Sequence, residues 1–234
     1  MDAAGNSPPP VPDTLSPGWR SAWPDALALA GGLGLAWWLQ WQARDLVWSL
    51  WLSSLVVGYA MIVWMIFSPL LVVERNAALE GASGLARTTL GGAYLVGALF
   101  LLAFFTFHFG MFHFVHSIFL NAFFPVLATP GRGFASAALY LHVARDYWPF
   151  VLVAAVAERG AFRLPAVGAS LASLKNTGNG FMEPYKNVVR LHLLIFFFAF
   201  THFAHLDNFI VYAIVYAVYF FPWRLVKAGA KRAA

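Results

Sequence analysis

The chain has 234 residues, of which 61% are hydrophobic, 18% aromatic and 11% charged. A soluble domain carries about 25% charged residues, so this composition excludes one and points to a single polytopic membrane domain. The absence of cysteine excludes disulfides, iron–sulfur clusters and thiol catalysis, and the net charge of +5 needs no nucleic-acid partner because most basic residues flank apolar runs.

Residues 1–24 hold six prolines (Pro8, Pro9, Pro10, Pro12, Pro17 and Pro24) and no basic start followed by an apolar core. They read as a disordered tail and not as a cleaved signal peptide. Residues 25–228 then read as an all-α, polytopic transmembrane helix bundle of six spans, and residues 229–234 as a short basic tail.

The first span is expected over about Ala26–Ala43 and the second over about Leu46–Val73. The third covers about Gly91–Phe124, and Pro125 ends it. A helix crosses the hydrocarbon with ~20 residues, so the second and third must tilt or protrude. Splitting the third at Gly110 would leave two fragments too short to span. Gly110 instead reads as a place where a neighbouring helix comes close, more so than Gly97. The fourth span covers about Ser136–Ala157, with a kink expected near Pro149. The fifth covers about Val188–Leu206 and the sixth about Phe209–Leu225. Between the fourth and fifth, Pro165–Lys175 has the character of a segment lying on the inner leaflet.

The charges set an orientation. Arg20, Arg75, Arg87, Arg159, Arg163, Lys175, Lys186, Arg190, Arg224, Lys227, Lys231 and Arg232 fall on one side of a six-span arrangement, and Arg44, Arg132 and Arg145 on the other. Positive loops stay inside, so both termini are expected in the cytoplasm of a bacterial inner membrane. Trp37, Trp38, Trp41, Trp48 and Trp51 bracket the Arg44–Asp45 turn like an aromatic belt at the outer interface.

Seven histidines stand in this apolar frame. His108, His113 and His116 occur in a run without Asp, Glu, Lys or Arg from Gly91 to Pro130, and His192, His202 and His205 in the fifth span. Ionisable side chains in lipid normally face a protein interior or a cavity and mark a functional site. At ~1.5 Å per residue, His113 and His116 lie ~33–37 Å from Gly91, and His202 and His205 ~21–26 Å from Val188. His142, Arg145 and Asp146 of the fourth span and Asp207 share that outer half. Each i,i+3 pair occupies one helix face.

His113, His116, His202 and His205 are therefore expected to converge as metal ligands, with His142, His108, Asp207 and Asp146 completing or orienting the shell. Copper, zinc or iron suits such imidazoles. Each histidine taken singly also has a structural reading, as a side chain that snorkels or bonds a neighbouring carbonyl. His192, two residues after Arg190, fits a headgroup contact, and Phe196–Phe197–Phe198 fit packing or lipid contact.

Trp51 through Gly58, His108–Phe109–Gly110 with His116, and Pro184–Tyr185–Lys186 leading to His192–Leu193 resemble a family of uncharacterised bacterial multi-pass membrane proteins, a domain of unknown function. The resemblance covers most of the chain after residue 45. It implies that His108, His116 and His192 are the family's histidines and that His113, His202 and His205 are additions. The family often carries a carboxylate near Ser53, and this chain has none there. No activity is implied.

The leading expectation is a histidine-rich metal site facing the periplasm, within a class that includes oxidoreductases. Adjacent histidine pairs of the di-iron oxygenase kind are missing. A second expectation is bis-histidine haem b or a pigment held between the third and fifth spans, which needs one imidazole from each. A third is a non-catalytic accessory subunit. The expected partners are the lipid bilayer and a homo-oligomer or larger membrane complex.

Overall fold

The structure, a computed structural model, describes residues 19–79, 84–127 and 135–163, together with isolated positions between Val189 and Ile214. Four α-helices are described: α1 (Trp19–Trp38), α2 (Ala43–Leu79), α3 (Gly84–Phe123) and α4 (Ala137–Ala157), followed by a short 3-10 turn at Arg159–Phe162. Val189, Leu193, Phe196, Phe197, Phe200, Thr201 and Phe203 are helical as well, inside the expected fifth span. The rest of that span, the sixth span apart from Ile214, and Pro165–Lys175 lie outside the described residues. No strand occurs among the described residues.

Among the described residues two helices are long and apolar enough to cross a membrane, over Arg44–Leu71 and Gly91–Phe123. Both run past the hydrocarbon thickness, since 37 residues of α2 and 40 of α3 rise ~56 and ~60 Å. Gly110 lies inside an unbroken α3, as the length argument requires. Pro125 disfavours helical backbone at Phe124 and offers no N–H of its own, so α3 stops where expected.

Other boundaries differ from the sequence expectation. Helix α1 begins at Trp19, ahead of the expected Ala26, and ends at Trp38. Its exit is a closed turn: Gln40 adopts φ 51°, Gln40 N–H reaches the carbonyl of Trp37 and Trp41 N–H that of Ala36. This pairing satisfies the last carbonyls of the helix. The left-handed residue is usually glycine; here the Gln40 side chain adds a bond to the Trp37 carbonyl at 2.8 Å. Helix α2 then starts with Asp45 accepting the Gln42 N–H at 2.8 Å, the reciprocal half of a capping box. Helix α4 is capped by Ser136, whose hydroxyl accepts from Leu139 N–H, and runs through Pro149 without a break.

Helix α2 is the centre of the packing, in contact with both α3 and α4, while α1 lies against α4. One core gathers Leu46, Trp48 and Trp51 of α2, Leu120 of α3 and Leu139, Val143 and Phe150 of α4. A second joins Ile62 and Ile66 to Ala98 and Phe109. Trp48 and Trp51 are thus core residues, 0% and 3% exposed, while Trp37 and Trp38 are 61% and 77% exposed. The expected belt divides because one face of α2 turns inward. By contrast, only 11% of the most apolar window of α3 is buried, so most of that helix faces its surroundings.

The close approach between α2 and α3 falls at Gly58. A Cβ there would lie 2.8 Å from Cζ of Phe109, whereas among the described residues a Cβ at Gly110 or Gly97 would meet nothing within 4 Å. Within these residues the small residue that admits a neighbour is not Gly110 but Gly58 on α2, and the neighbour is the Phe109 ring.

Candidate functional site

A polar seam runs through the α2–α3–α4 core. On α2, Ser49 and Ser53 donate to the carbonyls of Leu46 and Ser49 at 2.8 and 2.6 Å. Such local bonds let hydroxyls enter an apolar helix without an unpaired donor. Ser54 instead reaches across to α3 and lies 3.2 Å from Nε2 of His113.

The other ring nitrogen of His113 donates to the Phe109 carbonyl at 3.0 Å. Because a carbonyl only accepts, Nδ1 carries the proton, and Nε2 of the neutral ring accepts from the Ser54 hydroxyl. The side chain is 1% exposed. Trp51 covers this pair, donating its indole N–H to the His113 carbonyl at 3.0 Å and stacking on Tyr140 of α4 at 6.0 Å between centroids. Tyr140 in turn shares a 2.7 Å hydrogen bond with Ser117. His113 is accordingly a satisfied structural histidine that ties α3 to α2.

His116 sits one turn further along α3, 6.5 Å from His113 between ring centroids. Its Nδ1 donates to the Phe112 carbonyl at 2.8 Å, which places the electron pair on Nε2. His108 stacks on Phe104 at 5.6 Å with nearly parallel planes. His108 and His116 both line a groove of about 620 Å³ between α3 and the helical segment carrying Phe196 and Phe203. Its other walls are Phe107, Met111, Phe112, Val115, Phe119 and Phe123. Among the described residues none of the lining side chains is charged.

Two further polar pairs among the described residues stand apart from this site. His142 pairs with Asp146 on its own helix, Nδ1 to Oδ2 3.2 Å, on a partly exposed face. Asp45 receives the Tyr147 hydroxyl at 2.7 Å and joins α2 to α4. His192, His202, His205 and Asp207 lie outside the described residues. Among the described residues no three His, Asp or Glu side chains come together as metal ligands would. Of the expected set, His113 contacts Ser54 and Phe109 and His142 contacts Asp146, while its fifth-span members lie outside the described residues.

Sequence reasoning overlooked Ser54, Tyr140 and the groove walls Phe196 and Phe203. The serines left a signal, since Ser49, Ser53 and Ser54 cluster in an otherwise apolar run. The groove left none, because phenylalanines that line a ligand site and those that meet lipid are the same residues.

The chain belongs to a family of unknown function, DUF6498, whose profile matches residues 17–221. The match extends well ahead of the residues that carry the resemblance in sequence. No curated protein matches, and neither does any solved structure.

Proposed function

We propose that this member of a family of unknown function is a multi-pass inner-membrane protein of six spans, with both termini cytoplasmic, that binds an apolar, membrane-borne molecule in the groove between α3 and the Phe196–Phe203 segment. The observation that carries the reading is a groove of about 620 Å³ with aromatic walls and two imidazoles, His108 and His116. Small-molecule sites are concave, mainly apolar and furnished with few polar groups, and this volume lies within their usual range of roughly 300–1,000 Å³. The span count and sidedness draw support from the two span-length helices, the helical positions between Val189 and Phe203 and the asymmetry of basic residues.

A second reading has its own support. In His116 the Nδ1–H bond to a carbonyl orients the ring, as such bonds orient metal-ligating imidazoles. Haem b or a metal-bearing pigment in the groove would use it. A bare copper, zinc or iron centre would rest on His116 with His202 and His205, without His113.

The test is to purify the protein without a His-tag and measure its absorption spectrum, extractable organic ligands and metal content beside His116→Phe. One tightly held apolar molecule per chain, depleted in the variant, is the expected result. A Soret-type spectrum lost in the variant would select haem. Stoichiometric metal without an organic ligand would overturn the groove reading in favour of a metal centre.

A further inference from the structure

We draw no further inference here: the strongest candidate, the apolar groove between α3 and the Phe196–Phe203 segment, belongs to the site already described, and nothing in the structure shows what covers it.

Discussion

Trp48 of α2 donates its indole N–H to the backbone oxygen of Phe124, 2.8 Å away, in the fully buried end of the core. Phe124 follows the last turn of α3 and precedes Pro125, so its carbonyl belongs to a helix end that the chain cannot continue. A side chain from another helix thus completes the hydrogen bonding of α3 where it stops. Such a bond holds α2 and α3 in register better than apolar contact alone, because only one alignment satisfies it.

Trp48→Phe keeps most of the apolar volume and removes the donor. The buried carbonyl then lacks that partner, which costs about 1–3 kcal/mol. Thermal melting in detergent should fall accordingly, and by more than for Trp37→Phe, whose ring is exposed. Equal losses would show that the bond to Phe124 does not hold the helix end.

Gly58→Ala places a methyl where the Phe109 ring now lies. The ring must move, and overpacking of this kind costs about 1–3 kcal/mol. Gly110→Ala and Gly97→Ala meet open space among the described residues and should melt no lower than the wild type. The ordering of the three melting temperatures is the measurement, and a Gly110 variant below the Gly58 variant would contradict the contact.

His113 and Ser54 form one unit. Their coupling, measured by a double-mutant cycle of Ser54→Ala and His113→Phe, should reach about 0.6–1.7 kcal/mol, the span found for hydrogen bonds between membrane helices. Ligand content should remain unchanged in both single variants, in contrast to His116→Phe. A loss of bound ligand or metal with His113→Phe, the fold being intact, would return His113 to the site.

Reporter fusions at Lys231 and within residues 126–134 should give opposite sidedness, cytoplasmic at Lys231 and periplasmic between α3 and α4. The same sidedness at both positions would rule out the six-span arrangement.

Composition and run length alone determined that this is an all-α chain with span-length apolar helices, and where α3 and α4 lie. Hydropathy and proline positions act locally, so they are legible one segment at a time. The family resemblance was legible as well, through short stretches around Trp51, His108 and His192. The contacts of His113 and His116 were decided only by the tertiary structure. His113 and His116 share a helix face, an apolar run of sequence and a spacing that suits a shared metal. Only the arrival of Ser54 on a neighbouring helix commits one to packing, while the helix carrying Phe196 and Phe203 leaves the other beside a groove. Depth along an axis follows from counting residues. The angle at which two helices meet depends on which side chains interlock between them, as Gly58 and Phe109 do, and no single segment carries that information.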